Sequence, residues 1–312
     1  MDVSFESYDC CKLCPRACGI NRNKGLRGAC GCSSALRVAR SALHYWEEPP
    51  ISGDAGSGAI FFSGCPLRCV YCQNHQISHE GVGVEVSVGR LARMMLELEE
   101  QGALNINLVT PLHYAPHVRA AIKEARAAGL AIPMLCNTSG YELPQIVDAL
   151  ADLIDIWLVD AKYASSALAH ELSLARDYPH VSAEALARML FWLREHGGRR
   201  LREDGTMLQG IVVRHLVLPG HVEDSCAVLD RVWGLCGNEV DLSVMNQYTP
   251  NERCRLAGGP LSRCLDNDDY EIVLCHADEL GFEHLWWQQG GTVSESFVPA
   301  FDATGVLGPE LR

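Results

Sequence analysis

The sequence has no long apolar stretch and carries little positive charge. No segment approaches the roughly 20 uncharged apolar residues that a membrane-spanning helix needs, so we do not expect a membrane protein. Lys and Arg number 26 against 39 Asp and Glu, which gives a net charge of −13. Binding to nucleic acid or to an anionic membrane needs clustered cations that neutralise phosphate. The composition therefore argues against both partners.

The start of the sequence also lacks a basic and apolar leader. Met-Asp-Val-Ser-Phe-Glu has no positive region followed by an apolar one, so we expect no secretory signal and place the protein in the cytoplasm. Cysteine, by contrast, is abundant: the chain has fifteen, and most of the first nine fall into two tight groups. In a reducing compartment, an odd number of clustered cysteines indicates metal ligation rather than disulfides.

The most informative group is Cys65, Cys69 and Cys72. Three thiolates at this spacing can bind three of the four irons of an iron–sulfur cube and leave the fourth iron open to a ligand. A zinc site is the alternative, with His75 or His79 as a further ligand. The spacing predicts a metal centre that binds and activates a small ligand.

From residue 59 onward, apolar runs alternate with amphipathic stretches. The apolar runs, rich in strand-forming residues, cover 59–63, 105–109, 132–136, 154–159, 210–217 and 240–245. The stretches with helical spacing cover 87–101, 114–128, 142–152, 164–173, 182–196 and 222–235. Continuous apolar strands separated by helices indicate parallel pairing with right-handed crossovers. Six such units predict an α/β fold, an open partial (β/α)6 barrel.

The sequence divides into three regions. Residues 1–49 are rich in Cys and Arg and too poor in apolar residues to form their own core, which predicts an N-terminal metal-binding extension. Residues 50–255 form the barrel. Residues 256–312 form an irregular α/β tail across the barrel, in which we predict a strand at 270–275 and a helix at 276–289.

Polar residues that follow the predicted strands are candidate ligand contacts, because ligands of parallel barrels bind at the carboxyl ends of the strands. Asp160 and Lys162 lie two apart and face the same way, which suits a zwitterionic ligand; a structural ion pair is the alternative. Arg214 interrupts an apolar strand and needs an anionic partner, either a ligand carboxylate or a core carboxylate. The other candidates are Asn107, Thr110, Asn137, Ser139 and Gln247.

The C-x3-C-x2-C run, with Tyr71 just before its last cysteine, resembles the radical S-adenosylmethionine (SAM) superfamily. Over about residues 10–250 the chain is similar to the radical SAM proteins named pyruvate formate-lyase activating-enzyme-like. The runs that carry this likeness include Cys14-Pro-Arg, Glu47-Glu-Pro-Pro-Ile-Ser-Gly53 and Val213-Arg-His-Leu-Val-Leu-Pro-Gly220.

The resemblance implies both a cofactor set and a reaction. A [4Fe–4S] cluster on the three cysteines would bind SAM at its open iron and cleave it reductively to a 5′-deoxyadenosyl radical. That radical would take a hydrogen atom from a substrate C–H bond. The electron would come from a flavodoxin- or ferredoxin-type donor. Tyr71 and the polar candidates then become SAM contacts. Asp160 and Lys162 match an Asp-x-Lys that positions SAM in glycyl-radical activases. A Gly-Gly-Glu run common after the second strand is absent here.

A second group of cysteines lies upstream. Cys11, Cys14 and Cys18 can fill three coordination positions of a metal centre. The fourth position falls to one of Cys30, Cys32 and Cys10. We expect an auxiliary [4Fe–4S] cluster, used for electron relay or sulfur donation, with structural zinc as the alternative.

Three functions fit these features. The first is a radical SAM enzyme of oxidoreductase or sulfur transferase type acting on a small molecule. The second is an activase that takes a hydrogen from a partner glycyl-radical enzyme, and the third is a non-catalytic iron–sulfur electron carrier. We favour the small-molecule enzyme, because the second-strand motif departs from that of standard activases. Such an enzyme should close its barrel mouth, and residues 286–289 and 293–302 are the segments expected to do so.

Overall fold

The computed structural model of the chain describes residues 3–288 and 298–308. The strands are β1 (Arg37–His44), β2 (Ser57–Phe62), β3 (Val84–Glu85), β4 (Ile106–Val109), β5 (Met134–Thr138), β6 (Ile156–Asp160), β7 (Arg200–Leu201), β8 (Met207–Leu216), β9 (Asp241–Met245) and β10 (Leu285–Trp287). The α-helices are α1 (Pro49–Ser52), α2 (His75–Ser78), α3 (Val88–Glu100), α4 (Ala115–Ala127), α5 (Pro144–Leu150), α6 (Ser166–Ser173), α7 (Tyr178–Glu195), α8 (Val222–Cys236), α9 (Glu252–Ala257) and α10 (Asn267–Leu280). Short 3-10 helices cover Phe5–Tyr8, Arg22–Lys24, Leu112–Tyr114, Gly237–Glu239 and Pro260–Ser262.

One sheet organises the molecule. Its strands follow the order β10-β9-β8-β6-β5-β4-β2-β1-β3, and β7 pairs with β8 beside this path. Every pair from β2 to β10 is parallel. In the described part of the chain the two edge strands do not pair, so the sheet stays open. The predicted open partial barrel is confirmed, and β10 adds a parallel strand beyond the six that were predicted.

The six predicted apolar runs correspond to β2, β4, β5, β6, β8 and β9. Strands β2, β4 and β5 are buried at every position. This is expected where helices cover the outer face of a parallel sheet and side chains fill the inner one. The crossover helices are amphipathic: α3, for example, buries Leu91, Met94, Met95 and Leu98. Among the helices described, none is long and apolar enough to span a bilayer.

Strand β1 is an element that the sequence did not predict. It pairs antiparallel with β2 and joins His44 to Ser57, the first residue of β2. The chain therefore leaves β1 at the end of the sheet where the parallel strands begin. Helix α1 then turns across this end and buries Ile51 against side chains of β5, β6 and β8. Two acidic residues, Glu47 and Glu48, lie between β1 and α1 and enter the barrel from this side.

The tail differs from the prediction. The strand predicted at 270–275 is wrong, because α10 covers all of it. The helix predicted at 276–289 is wrong beyond residue 280, where α10 ends and β10 follows; residue 289 lies outside the described residues. Three side chains spaced three and four apart are buried on one face of α10, namely Tyr270, Val273 and Ala277. Ile272, in the apolar run that suggested a strand, is 53% exposed. Helical spacing therefore outweighed the short apolar run.

The last described segment, 298–308, returns to the opposite edge of the sheet. Ala303 donates its backbone N–H to the carbonyl of Ala39 in β1 at 3.0 Å. Arg90, near the start of α3, donates to the carbonyl of Val306 at 2.7 Å. The C-terminal segment thus packs against β1 and α3.

Candidate active site

A cavity of about 330 Å³ opens at the carboxyl ends of the parallel strands. All the residues predicted to bind the cluster or SAM line it, except one: they are Cys65, Cys69, Tyr71, Cys72, Thr110, Asn137, Ser139, Asp160, Lys162, Arg214 and Gln247. The exception is Asn107, which is fully buried and donates a hydrogen bond to Oε1 of Glu47 at 2.8 Å. Asn107 therefore lies behind the cavity wall.

The cysteine loop follows β2 and turns into α2. Two of its thiols are hydrogen-bonded by serine hydroxyls: Ser173 lies 3.0 Å from the sulfur of Cys69, and Ser78 lies 3.2 Å from that of Cys72. Burial raises the pKa of Cys65 to about 12 and that of Cys72 to about 11. The free thiols of Cys65 and Cys72 are therefore protonated near neutral pH, and a metal has to displace their protons.

The three thiols line one cavity, as the ligands of a cubane cluster would. Among the described residues, no three Cys, His, Asp or Glu side chains come together closely enough to ligate one ion. In a cubane each cysteine binds a different iron, so its ligands stand apart around the cluster. Serine hydroxyls that point at the sulfurs are the type of outer contact that iron–sulfur thiolates accept.

A network of ion pairs crosses the cavity. Asp160 of β6 and Arg214 of β8 are neighbours in register, and the Arg214 Nε lies 3.0 Å from Asp160 Oδ1. The other oxygen of Asp160 accepts from Lys162 Nζ at 2.7 Å. Arg214 also donates to Glu47 at 3.1 Å and to the amide oxygen of Asn137 at 2.7 Å. One arginine therefore joins β5, β6 and the segment that follows β1.

Charge pairing in this network is strong enough to offset burial. Burial alone raises the pKa of Asp160, but Lys162 and Arg214 outweigh it and leave that pKa below its ordinary value. Burial likewise lowers the pKa of Lys162, and Asp160 outweighs it, so the lysine pKa is raised. All three groups therefore carry their charges at neutral pH. The ion-pair alternative noted for Asp160 and Lys162 is present, and both side chains still line the cavity.

Glu47 and Glu48 are site residues that the sequence reasoning missed. Both line the cavity, and Glu47 accepts from Arg214 and Asn107. Burial raises the pKa of Glu48, against the opposing effect of Arg214. The sequence does place two acidic residues directly before Pro49-Pro50, but the surrounding turn-forming residues indicate a linker. The pair was overlooked because β1, which delivers it into the barrel, was not predicted.

The loop after β5 is held by close backbone contacts. Gly140 has φ of +76°, and a Cβ there would lie 2.4 Å from the carbonyl oxygen of Asp160. Only glycine fits this approach. Tyr178 then ties the two loops, because its hydroxyl bonds the carbonyl of Ser139 at 2.8 Å and that of Asp160 at 2.7 Å. These contacts fix the hydroxyl of Ser139 at the cavity wall.

The upstream cysteines lie beside the loop that carries Cys65, Cys69 and Cys72. The backbone N–H of Cys65 donates to the carbonyl of Cys30 at 3.3 Å. Gly64 makes this approach possible: its φ is +86°, and a Cβ there would lie 2.1 Å from the sulfur of Cys32. Both cysteine groups therefore occupy the same end of the barrel.

Within the upstream group, Cys11, Cys14 and Cys30 are buried and Cys10 is exposed. Burial raises the pKa of Cys14 to about 12, and the nearby thiols of Cys30 and Cys11 add to the rise. The sulfur of Cys18 accepts from the N–H of Ala29, next to Cys30, at 3.3 Å. The sulfur of Cys32 points instead to the carbonyl of Ser63 at 3.3 Å.

The open side of the barrel is bordered by aromatic and amide side chains. Trp286, Trp287 and Gln288 line the cavity together with Val298 from the last segment. The Gln288 side chain also bonds Gln247 at 2.8 Å. Of the two segments predicted to close the mouth, residues 286–288 and 298–302 are described, and 289 and 293–297 lie outside the described residues.

Comparison with known proteins agrees with this architecture. The sequence profile of the radical SAM superfamily matches residues 59–231, more than half of the chain. The chain belongs to the radical SAM superfamily. Membership confirms the resemblance to the superfamily, and it implies an enzyme that uses SAM and a [4Fe–4S] cluster.

Individual relatives are more distant. Uncharacterized protein MJ0674 of Methanocaldococcus jannaschii is 22% identical over 296 residues, which span 92% of this chain and 79% of that protein. The crystal structure of SuiB from Streptococcus suis bound to S-adenosylmethionine superposes with a TM-score of 0.50 at 15% identity and covers 73% of this chain and 48% of SuiB. Methylornithine synthase (PylB) gives a TM-score of 0.48 at 13% identity and covers 74% of this chain and 70% of PylB. The chain spans about half the length of SuiB, and that likeness shows the fold.

Proposed function

We propose that this radical SAM enzyme binds its [4Fe–4S] cluster on Cys65, Cys69 and Cys72 and takes a hydrogen atom from a small molecule held in the same cavity. One observation carries this proposal: the three thiols and the charged side chains of β6 and β8 line a single cavity. When bound, the cluster and SAM together supply one-electron cleavage of SAM and abstraction of hydrogen from carbon. The protein supplies position and charge.

The side chains of the cavity suit the methionyl end of SAM. SAM carries an ammonium and a carboxylate, and the cavity offers Asp160 to the first and Lys162 to the second. Both are fixed, because Asp160 is bonded by Arg214 and Lys162 on opposite oxygens. The Lys162 ammonium has three N–H donors and uses one of them on Asp160. It can therefore bind a further anion without breaking its ion pair.

The remaining polar candidates would hold the rest of SAM. Asn137 and Ser139 follow β5, and Thr110 follows β4, where its N–H donates to the carbonyl of Asn137 at 2.8 Å. Gln247 follows β9 and is tied to the cysteine loop, because Gln73 donates to its carbonyl at 2.8 Å. Tyr71 lies between two cysteines and meets the hydroxyl of Tyr163. Asn107 would act indirectly, by holding Glu47.

A small substrate is favoured over a protein segment by the border of the cavity. Trp286, Trp287 and Val298 occupy the open side of the barrel and reduce the room for a polypeptide loop. A non-catalytic electron carrier has no use for a cavity lined by paired charges at the carboxyl ends of the strands. An activase would be indicated instead if only a glycyl-radical partner protein, and no small molecule, coupled SAM cleavage to hydrogen abstraction.

We also propose that the upstream cysteines hold a second, auxiliary cluster. Arg22 supports this assignment. Its guanidinium is 1% exposed and lies 3.7 Å from the sulfur of Cys11. It donates to the carbonyls of Ser33 and His113, and no carboxylate of the described chain forms an ion pair with it. A buried cation without a counter-charge is strongly unfavourable, and metal-bound thiolates would supply that charge.

The proposed ligands of this second centre follow from the spacing of the cysteines and from their contacts. Cys11, Cys14, Cys18 and Cys30 are the proposed set, because Cys10 is exposed and the Cys32 sulfur points to Ser63. The short path from Cys30 to Cys65 suits electron relay to the SAM-cleaving cluster, from a flavodoxin- or ferredoxin-type donor. Sulfur transfer is the other use of such a cluster, and structural zinc is the alternative metal.

The three-part division stays part of this proposal. Residues 1–49 would carry the auxiliary centre, 50–255 the SAM-cleaving barrel and 256–312 the cover of its open side. The contacts of Cys30 with Cys65, and of residues 298–308 with β1, support the roles of the two outer regions.

The direct test is anaerobic reconstitution with iron and sulfide, followed by an assay of 5′-deoxyadenosine. Changing Cys65, Cys69 or Cys72 to Ala should abolish deoxyadenosine formation, whereas Cys236→Ala, a buried cysteine of α8, should leave it intact. SAM cleavage that survives in all three variants would refute the site.

A further inference from the structure

The charges that line the cavity do not balance. Among the described residues, three carboxylates face it, those of Glu47, Glu48 and Asp160, against two permanent cations, Lys162 and Arg214. One other basic group, His44, lines the cavity, and burial lowers its pKa, so it is neutral. One carboxylate of the cavity therefore has no permanent cation of its own.

The hydrogen bonds identify which carboxylate this is. The three guanidinium nitrogens of Arg214 donate hydrogen bonds to Asp160, Glu47 and Asn137. Lys162 bonds Asp160. Glu48 forms no ion pair with any side chain in the described ranges, although it is only 9% exposed. Its Oε2 atom is buried without a hydrogen-bond partner. A buried acceptor left in this state costs about 1–3 kcal/mol.

A second unpaired acceptor lies behind the same wall. The amide oxygen of Asn107 is buried and has no partner, while its nitrogen bonds Glu47. Both unpaired atoms are acceptors, so the ligand group that would satisfy this region is a donor. With an unpaired carboxylate present, a positively charged donor is the better match.

Backbone geometry fixes Glu48 in place. It caps α1 directly before Pro49, with φ −53° and ψ 146°. A residue before proline is confined to such extended conformations. The hydroxyl of Ser243 in β9 also interacts with the Glu48 carboxyl. The backbone of Glu48 is therefore restricted, and its carboxyl lies within reach of Ser243.

Glu48 and the proposed cluster ligands reach the cavity from different strands of the sheet. The partner strand of Glu48, β9, is separated in the sheet from β2, which precedes the cysteine loop, by β8, β6, β5 and β4. The acid also enters from the end of the barrel where the parallel strands begin, whereas Cys65 lies at the end where they finish. A ligand bound at Glu48 would thus occupy space that SAM at the cluster leaves free.

We propose that Glu48 binds a positively charged nitrogen of the substrate, so that the enzyme acts on a small cationic amine, either an alkylammonium or an alkylguanidinium compound. This inference rests on the proposed function, because it takes the cavity as the substrate site. The group acts as an anchor: it holds the charged end and leaves the carbon chain directed toward the cysteine loop.

The test measures binding to anaerobically reconstituted enzyme with SAM present. The probes are butylammonium chloride and butylguanidinium chloride, with 1-butanol as a neutral match of similar length. Wild-type enzyme should bind at least one cation and discriminate against butanol. Glu48→Gln should weaken that binding about tenfold or more, the loss expected for one charged hydrogen bond. The control Glu171→Gln, at an exposed position, should bind as wild type does.

Each other outcome overturns the inference. Failure of both cations to bind wild-type enzyme contradicts it, as does equal binding by Glu48→Gln. A loss of SAM affinity in Glu48→Gln, with cation binding unchanged, would assign the carboxyl to SAM. None of these results affects the proposed function, which is tested separately by SAM cleavage in the wild-type enzyme and in its Cys65, Cys69 and Cys72 variants.

A second measurement covers the case in which Glu48→Gln does not fold. Burial raises the pKa of Glu48; Glu47 adds to the rise, while Arg214 and the Ser243 hydroxyl oppose it. A cation binds the ionised form, so the affinity of wild-type enzyme for butylammonium should increase as pH rises through that raised pKa. An affinity that is flat or falls with pH overturns the assignment.

Discussion

The hydroxyl oxygen of Ser173 lies 3.0 Å from the sulfur of Cys69. The same hydroxyl is 2.7 Å from that of Tyr163, which in turn meets Tyr71 at 2.8 Å. Ser173 ends α6 and is 1% exposed, so this chain of hydroxyls is shielded from solvent. The proposed cluster ligand is therefore connected to two buried tyrosines through one serine.

Ser173→Ala should make the cluster harder to reduce. A hydrogen bond to a ligating sulfur stabilises the more negative, reduced state, so its removal lowers the reduction potential. A differential contribution of about 1 kcal/mol corresponds to about 40 mV for a one-electron couple. The measurement is a redox titration of the reconstituted cluster followed by electron paramagnetic resonance. Ser182→Ala, on α7, is the control, and an equal shift in both variants would contradict a specific role of Ser173.

Much of the barrel could be predicted from sequence, because its six inner strands are continuous apolar runs. The cysteine spacing and the polar residues after each run could likewise be read directly, since strand ends collect at one face. Strand β1 was missed because Arg37, Arg40 and His44 interrupt its apolar pattern. With β1 unseen, the path that brings Glu47 and Glu48 into the barrel could not be inferred.

Other contacts depend on tertiary structure in ways that no local pattern reveals. The bonds of Ser173 and Ser78 to cysteine sulfurs join residues of different elements, and isolated serines are common. The approach of Cys30 to Cys65 depends on how the N-terminal segment folds back over the barrel. In α10, a local apolar run suggested a strand, but the segment forms a helix because one helical face packs against the core.

Lys162→Ala should weaken SAM binding about tenfold, because the lysine has two donors beyond the one that bonds Asp160. Asp160 keeps Arg214 as a partner in this variant, so the fold should survive. Isothermal titration of reconstituted protein with SAM measures the change, and Lys123→Ala, at an exposed position of α4, is the control. Unaltered affinity would remove Lys162 from the SAM site.

Arg214→Met should be the most destabilising change in the cavity. It leaves Glu47 without a cationic partner and reduces Asp160 to Lys162 alone. Removing one member of a buried ion pair costs about 3–5 kcal/mol. Urea denaturation of the cofactor-free protein measures the loss, with Arg93→Met, at a half-exposed pair on α3, as control. A loss below about 1 kcal/mol would show that water, rather than Arg214, solvates these carboxylates.

The second metal centre predicts different iron contents for two neighbouring variants. Cys30→Ser should lose the iron and sulfide of one cluster after reconstitution, whereas Cys10→Ser should retain both clusters because Cys10 is exposed. The triple change of Cys11, Cys14 and Cys18 to Ala should also leave a single cluster and still permit uncoupled SAM cleavage. Unchanged iron in the triple variant would leave zinc, or no metal, at this position.

Gly64→Ala tests whether the two cysteine groups need their close approach. The new Cβ would meet the sulfur of Cys32 at 2.1 Å on a backbone with φ of +86°. Gly102 is a matched control, since its φ is +91° and nothing lies within 4 Å of a Cβ there. Both variants share the backbone strain of about 1–2 kcal/mol, so any further loss in Gly64→Ala reports the clash. We expect that further loss, measured by urea denaturation, and equal losses would contradict the packing described.

Glu142 should make the free energy of unfolding decrease as pH rises. Its carboxyl is buried beside Thr138, and burial raises its pKa from 4.5 to about 7. Between these two values the unfolded chain releases the proton while the folded chain retains it, so folding loses stability with increasing pH. Above pH 7 the full penalty applies, about 3 kcal/mol for a shift of this size.

Glu142→Gln removes the titrating proton while it preserves the shape and an acceptor for the Thr138 hydroxyl. The variant should match the wild type near pH 4.5 and exceed its unfolding free energy by about 3 kcal/mol at pH 8. Urea denaturation of cofactor-free protein across this range measures the difference, and Glu171→Gln should run parallel to the wild type. If the unfolding free energies of Glu142→Gln and wild type differed by the same amount at every pH, the carboxyl would not titrate in this range. Only a proton that is taken up on folding makes this difference grow with pH.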